Sequence, residues 1–314
     1  MTKRAPGGAN SRDGFALLLV IWILALLAVL AAGVAADSQS ESKIARNRLE
    51  LARVRARAEA GIAMAIVGLT VPDMTQRWRA DGSTRMAAYD GGPVAITIQD
   101  EAGKIDINQA PLELIAGLFD TLDPHTKEDR EAVMSAITQQ RQAAADRTRQ
   151  SSPRGVDFPR RRRGVALADE AFAGISELQQ LTGMSRTTYD LIRPFVTVYS
   201  QSPTINPLTA PREVLAALPG INAPSIDLYL AARQSQTAGQ PTGELPSLGA
   251  ETTKYISAAD LITVTITAKA DAPGGISFTR EAVVSFDSTQ ALPFKFLEWR
   301  QGAEPENAAL TQAQ

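Results

Sequence analysis

The sequence is poor in the residues on which many enzymes and disulfide-stapled domains depend. It contains no cysteine and a single histidine, His125. The absence of cysteine excludes a disulfide framework, a thiolate metal site and a thiol nucleophile. His125 lies in a polar run without apolar neighbours, so we expect a solvated side chain rather than a catalytic base.

Signatures of catalysis and of nucleic-acid binding are also scarce. Lysine and arginine number 32 against 34 aspartate and glutamate, which gives a formal net charge of −2. Charge alone therefore does not make the whole molecule a nucleic-acid binder. The sequence shows no Gly-rich phosphate loop, metal-ligand cluster or nucleophile–base pair, so we predict a protein that is not an enzyme and requires no cofactor.

The amino-terminal segment is the strongest signal that is present. Residues 15–36 are uncharged, and a helix of that length, at about 1.5 Å per residue, spans the roughly 30 Å hydrocarbon core of a bilayer. Residues 1–14 carry Lys3, Arg4 and Arg12 against one acid. This asymmetry predicts a cytoplasmic amino terminus, with everything after residue 36 on the other side of the membrane.

Three fates fit this segment. It is an uncleaved anchor, a secretory signal peptide cut before Asp37, or a helix preceded by a short basic leader that is cut between Gly14 and Phe15. A signal peptide has an apolar core of about 7–15 residues, and this run is longer. We favour cleavage between Gly14 and Phe15.

The helix is expected to continue beyond the apolar run. Residues 37–70 contain no proline and are rich in alanine, arginine, glutamate and leucine, which are strong helix formers. Apolar residues recur there at three- and four-residue steps and predict one apolar stripe. We therefore predict a single helix over residues 15–70, whose second half packs on a globular head.

The head is predicted to combine strands and helices. Residues 93–100 alternate apolar and polar side chains, as do residues 260–269 and 276–286 on either side of a glycine turn, and residues 294–299 add an edge strand. The intervening residues, 108–255, are mainly helical in pattern. They contain an internal echo in which Ile107-Asn108 and Ile205-Asn206 each precede an Ala-Pro pair that opens a helix.

Residues 12 to about 290 resemble the type IV pilin superfamily and, more narrowly, the K-type minor pseudopilins of type II secretion. The match is carried by the Gly14-Phe15 junction with its apolar run, by residues 100–108 and by residues 205–221. Leu19 stands at the fifth position of the mature chain, where most pilins have glutamate. The K-type subunits characteristically lack that glutamate.

The resemblance implies an α+β fold: a long amino-terminal helix packed on a small antiparallel sheet, interrupted by an inserted α-helical domain with helix-hairpin-helix-like elements. The implied domains are a leader (1–14), a transmembrane half-helix (15–36), a periplasmic helix with the first strands (37–107), the inserted domain (108–255), the remaining strands (256–300) and a flexible tail (301–314).

The resemblance also implies a function. Prepilin peptidase would cut between Gly14 and Phe15, and the amine of Phe15 would be methylated. The subunit would sit in the inner membrane with a periplasmic head, at the tip of the pseudopilus, and support its initiation and the export of folded proteins. Implied partners are the minor pseudopilins I and J, the major pseudopilin, the inner-membrane assembly platform and membrane lipid, with no nucleic acid.

Three other hypotheses stay open. Leu218-Pro219-Gly220-Ile221 resembles the turn of a helix-hairpin-helix, which would suit a membrane-anchored receptor for DNA uptake, but residues 201–235 have no net charge. The arginine run at 160–163 is expected to be a solvated insertion loop, and its alternative is a contact with lipid or nucleic acid. Asp100 with Glu101, or Asp81 with Asp90, would supply oxygen ligands for calcium in the head.

Overall fold

The computed structural model describes residues 11–73, 75–122, 127–151, 170–235, 245–258, 262–286 and 293–302. Side chains at 11–16, 31–40, 42, 127–128 and 150–151 are not described. His125, the arginine run at 160–163 and the tail beyond Gly302 lie outside the described residues. The chain divides into two compact units, residues 1–53 and 54–314.

The first unit consists of the amino-terminal part of helix α1 (Ser11–Thr70). From Leu17 to Leu30 its large apolar side chains are exposed. In the part of the chain that the structure describes, no helix combines the length and hydropathy required to cross a membrane. The predicted span at 15–36 includes positions whose side chains are not described, so it stays a prediction.

The second unit contains a five-stranded antiparallel sheet in the order β1-β2-β5-β6-β7. The strands are β1 (Asp81–Tyr89), β2 (Gly92–Asp100), β5 (Thr263–Ala272), β6 (Ile276–Ser285) and β7 (Lys295–Gln301). The end of α1 packs on one face of this sheet, through buried side chains that include Val54, Ala58 and Ile62. At Gly61 an added Cβ would lie 2.8 Å from Ala268 and from Val94, so a glycine is needed where α1 crosses β2 and β5.

The strands predicted at 93–100, 260–269, 276–286 and 294–299 are confirmed as β2, β5, β6 and β7. Strand β1 was not predicted, because its sequence is glycine-containing and mostly polar. The signal that would have found it is the tight turn between β1 and β2, where Asp90 and Gly91 have φ of 48° and 71°. An Asp-Gly pair is the preferred chemistry for that left-handed turn.

Between β2 and β5 the chain is mainly helical and forms a second hydrophobic core, which includes Ile105, Leu114, Phe172 and Ile205. The elements are β3 (Ile105–Asp106), α2 (Leu112–Leu122), α3 (Lys127–Ser151), α4 (Arg186–Ile192), β4 (Val196–Thr197), α5 (Arg212–Ala216) and α6 (Ala223–Ser235). Strands β3 and β4 pair in parallel as a separate two-stranded sheet. The predicted domain boundaries stay a prediction.

The helical segment contains two short stretches with similar sequences, which we call the first repeat (residues 105–118) and the second repeat (residues 205–218). Each residue of the first matches the residue one hundred positions later, so Ile105 corresponds to Ile205 and Pro111 to Pro211. Ile105 pairs in parallel with Val196, and Ile205 pairs in parallel with Ile256.

Backbone hydrogen bonds fix the register of this match. Ala110 N–H donates to the Asp106 carbonyl at 2.8 Å, and Ala210 N–H donates to the Asn206 carbonyl at 3.0 Å. Asn206 therefore occupies the position of Asp106, and Asn108 corresponds to Leu208. The repeats also touch at equivalent points, since a Cβ at Gly117 would lie 2.2 Å from the carbonyl oxygen of Ala217.

Candidate functional site

The acidic residues that follow β2 join the sheet to the helical segment. Glu101 is 1% exposed, and one of its carboxylate oxygens accepts from Lys104 Nζ and from Thr265 Oγ1 on β5, each at 2.6 Å. Its other oxygen accepts from Thr197 Oγ1 on β4. One buried carboxylate thus holds both sheets and a lysine, and all three contacts stabilise its charge.

Asp100, the last residue of β2, makes a second connection. Its side chain is buried and accepts hydrogen bonds from Ala102 N–H at 3.0 Å, Thr209 Oγ1 at 2.9 Å and Asn206 Nδ2 at 3.3 Å. Burial raises the pKa of the Asp100 carboxyl above its ordinary value, and these hydrogen bonds only partly offset that effect. Asp100 therefore ties the sheet to the turn of the second repeat.

Asp106 organises the turn of the first repeat. One oxygen accepts from the N–H groups of Asn108 and Gln109, and the other accepts from Ser200 Oγ and Gln201 N–H at 3.0 and 2.8 Å. The side chain is 1% exposed, and burial raises the pKa of this carboxyl. It connects β3 to the chain that follows β4.

Two arginines, of which Arg141 is partly buried and Arg233 is buried, clasp the repeats in the same way. Arg141, on α3, donates to the carbonyl of Ile107 at 2.6 and 2.9 Å and to that of Ala110 at 2.8 Å. Arg233, on α6, donates to the carbonyls of Pro207 and Ala210 at 2.9 and 2.7 Å. Pro207 and Ala210 are the residues equivalent to Ile107 and Ala110. In each repeat, therefore, the turn is bound by an arginine on the second of the two helices that follow it.

These arginines were not anticipated from the sequence. Arg141 lies on the polar helix α3, and Arg233 lies near the end of α6; in both places an arginine is ordinarily a solvated residue. The sequence points to these arginines only when the two repeats are aligned one hundred residues apart. In that alignment each Ala-Pro pair is followed by a pair of helices, and the second helix of each pair carries an arginine. The junction built by these contacts is structural: its polar groups are matched to one another inside the protein.

The calcium hypothesis gains no cluster of ligands from this geometry. Asp100 and Glu101 are engaged by protein donors, while Asp81 and Asp90 lie at opposite ends of β1. Asp81 also forms an ion pair with Arg79 at 2.9 Å. Among the described residues, no group of three or more histidine, aspartate or glutamate side chains is placed to hold a metal ion.

The predicted hairpin at residues 218–221 is present between α5 and α6, with Gly220 at φ 77°. Its two arginines, however, contact other groups of the same protein. Arg212 is paired with Asp227 across the hairpin, and Arg233 is 8% exposed and bound to backbone carbonyls. Phosphate binding depends on available cations, and in this hairpin both arginines already have partners.

The predicted processing site lies within α1. Gly14 and Phe15 are helical, but their side chains are not described, while Leu19 is half exposed in the first unit. Cleavage after Gly14, methylation of Phe15 and the role of Leu19 stay predictions.

Comparison with known proteins adds a likeness of fold. No protein-family model and no curated protein matches the chain. Among solved structures, it is similar to a chain of the GspK–GspI–GspJ complex of the type 2 secretion system of enterotoxigenic Escherichia coli. The TM-score is 0.51 at 17% identity, over 82% of this chain and 99% of that chain. The two chains share a fold. The predicted α+β class with an antiparallel sheet is thereby confirmed.

Proposed function

We propose that this chain is a K-type minor pseudopilin of the type II secretion system. The observation that carries the proposal is the shared fold, which extends over nearly the whole of a chain from a GspK–GspI–GspJ complex. The Gly14-Phe15 junction before an uncharged run gives independent support from the sequence. The role is assembly and secretion rather than catalysis.

In this proposal residues 15–36 anchor the protein in the inner membrane, with the leader in the cytoplasm and the head in the periplasm. Prepilin peptidase removes residues 1–14, and the new amine of Phe15 is methylated. Leu19 then lies in the bilayer, where a carboxylate without a partner would be costly. A subunit at the tip has no neighbour above it to supply that partner.

The helical segment between β2 and β5 serves, in the same proposal, as an inserted domain that caps the pseudopilus. The minor pseudopilins I and J and the major pseudopilin pack beside α1, and the inner-membrane platform drives assembly. The subunit supports initiation of the pseudopilus and export of folded proteins across the outer membrane.

The amino-terminal residue of the protein, purified from membranes of its native cells, tests the proposal. We expect a chain that begins at Phe15 and carries one added methyl group. Gly14→Leu should leave the leader in place, because it removes the small residue at the cut. Gly8→Leu, inside the leader, is the matched control and should be processed normally.

Other starting residues would contradict the proposal in different ways. A chain that begins at Met1 or Thr2 would be an ordinary anchored protein, and the membrane-bound DNA receptor would again be the leading alternative. A chain that begins at Asp37 would be a secreted protein. Cleavage of Gly14→Leu at the same position as in the control would show that the cut does not depend on Gly14, and would contradict processing by prepilin peptidase.

A further inference from the structure

A row of aromatic rings and one arginine extends from β6 to the outer edge of the sheet. The Arg280 guanidinium carbon lies 4.9 Å from the ring centre of Phe278 and 5.2 Å from that of Trp299. Trp299 meets Phe296 edge-to-face at 5.0 Å, and Phe296 meets Phe294 in the same way at 5.6 Å. We call these five residues the aromatic ladder.

The aromatic ladder lies on the face of the sheet that carries α1. Arg280 donates to Glu59 of α1 at 2.6 Å, and Phe296 and Trp299 pair in register with Val284 and Ala282, which belong to the core beneath α1. Because α1 crosses the sheet over β2 and β5, it leaves the β7 side of this face open. Phe296 and Trp299 remain 42% and 44% exposed among the described residues.

The composition of this surface is that of an interface rather than of a solvated edge. Tryptophan, aromatic residues and arginine are enriched where binding energy concentrates. The rings are also held in place before any partner arrives, since each stacks on the next and Arg280 is tied to Glu59. A preformed surface loses little side-chain entropy on binding.

Charge narrows the class of partner. The inner end of the aromatic ladder carries two cations, Arg280 and Arg55, whose guanidinium lies 5.8 Å from the Phe278 ring centre. Both donate to the same carboxylate oxygen of Glu59. The local balance is therefore positive, and a partner that presents a carboxylate beside apolar side chains complements it.

We propose that the aromatic ladder is a docking surface for a helix of another pilin-like subunit, one whose apolar stripe contains an acidic residue. A helix laid on this face would run beside α1 and cover the rings in the way that α1 covers β2 and β5. The identity of the partner as a pilin-like subunit rests on the proposed function, whereas the docking surface itself rests on the contacts above.

Site-specific photocrosslinking of the full chain in its native cells tests the proposal. Phe296→p-benzoylphenylalanine places the probe on the aromatic ladder. Met86→p-benzoylphenylalanine is the matched control, because Met86 is an exposed apolar residue on the opposite edge strand, β1. Leu24→p-benzoylphenylalanine reports on the exposed apolar part of α1. We expect crosslinks to a pilin-like subunit from positions 296 and 24, with at least about tenfold less from position 86.

Each other result overturns a stated part. Crosslinks from position 24 but not from 296, or equal yields from 296 and 86, would remove the docking surface and leave the proposed function intact. No crosslink to a pilin-like subunit from any position would remove both. A crosslink from 296 to a peptide of a strand, rather than of a helix, would overturn the stated occupant.

A second measurement, co-purification of the crosslinked subunit, separates loss of the docking surface from loss of the fold. Trp299→Ala should reduce co-purification of the crosslinked subunit by about tenfold or more, and Trp299→Phe should restore most of it. Arg55→Gln should reduce it by only a few-fold, since Arg55 is exposed. Equal recovery with Trp299→Ala and with the wild type would overturn the proposal.

Discussion

The two repeats of the helical segment use the same backbone turn with different side chains at its key position. In the first repeat that residue is Asp106, and in the second it is Asn206. Every group that is hydrogen-bonded to the Asp106 carboxylate donates to it, including Ser200 Oγ and the N–H of Gln201. The difference at this position therefore reflects the groups that face it and not the turn itself.

Asn206 meets a different neighbour. Its Oδ1 accepts from Leu208 N–H at 3.2 Å, as a carboxylate would, but its Nδ2 donates to the carboxylate of Asp100. An aspartate has no hydrogen to donate when it is ionised. In this pair of turns the carboxylate stands where every hydrogen-bond partner donates, and the amide stands where one hydrogen-bond partner is itself a carboxylate.

Removal of the arginine clasp should have the largest effect on stability. Arg233→Met leaves the carbonyls of Pro207 and Ala210 without their charged donor in a position that water scarcely reaches, which should lower the unfolding free energy by about 3 kcal/mol. Arg141→Met leaves the equivalent carbonyls, but Arg141 is only partly buried, so we expect about 2 kcal/mol. Denaturant unfolding of the full chain in detergent measures both.

Arg212→Met is the control for this prediction. It removes an arginine from the same hairpin, but its ion pair with Asp227 is exposed, so its effect should stay below about 1 kcal/mol. If Arg233→Met were no more costly than Arg212→Met, the clasp would not stabilise the second repeat.

Exchanging the side chains of Asp106 and Asn206 should have the next largest effect on the unfolding free energy. Asn206→Asp places a second carboxylate beside Asp100 in a buried site and should cost about 2 kcal/mol at pH 7.5. Such a pair binds a proton more tightly when folded than when unfolded. The unfolding free energy lost at pH 7.5 should therefore be partly regained as the pH falls towards 4.

Asp106→Asn is the reciprocal variant. It places the NH₂ group of an amide opposite the N–H of Gln201, so that two donors face each other, and should lower the unfolding free energy by about 1 kcal/mol. No carboxylate pair is created, so acidification should not relieve this cost. The same pH response in both variants would mean that the asymmetry between Asp106 and Asn206 has another origin.

The sequence predicted the fold where a local pattern controls it. The alternation in β2, β5 and β6 and the apolar stripe of α1 each specify a buried face, and these elements lie where they were expected. Strand β1 escaped prediction because its main local signal is the Asp90-Gly91 turn, and the clasp by Arg141 and Arg233 escaped because its signal is not local. An edge strand needs little apolar pattern, and an arginine that binds carbonyls in a distant turn looks in the sequence like a solvated one.

The smallest effect on the unfolding free energy is expected at Glu170, which interacts with Asn108 and Asp106 of the first repeat. Glu170 accepts from Asn108 Nδ2 at 2.7 Å and lines an open cavity of about 340 Å³ together with Arg141 and Arg149. Burial, and then the charge of Asp106, raise the pKa of Glu170 to about 7, against the lowering effect of the Asn108 hydrogen bond. An amide at the position of Asp106, as in the second repeat, would contribute no such charge.

A raised carboxyl pKa stabilises the fold at low pH and loses that effect as the group ionises. The unfolding free energy should therefore fall as the pH rises from about 4.5 to about 7. Glu170→Gln keeps the size of the side chain and cannot ionise, so its unfolding free energy should exceed that of the wild type increasingly over this interval. Because Glu170 is only partly buried, solvent screening should limit the gain to less than about 1 kcal/mol. Asp106→Asn should reduce the gain further, and parallel pH curves for Glu170→Gln and the wild type would show that Glu170 does not sense the turn of the first repeat.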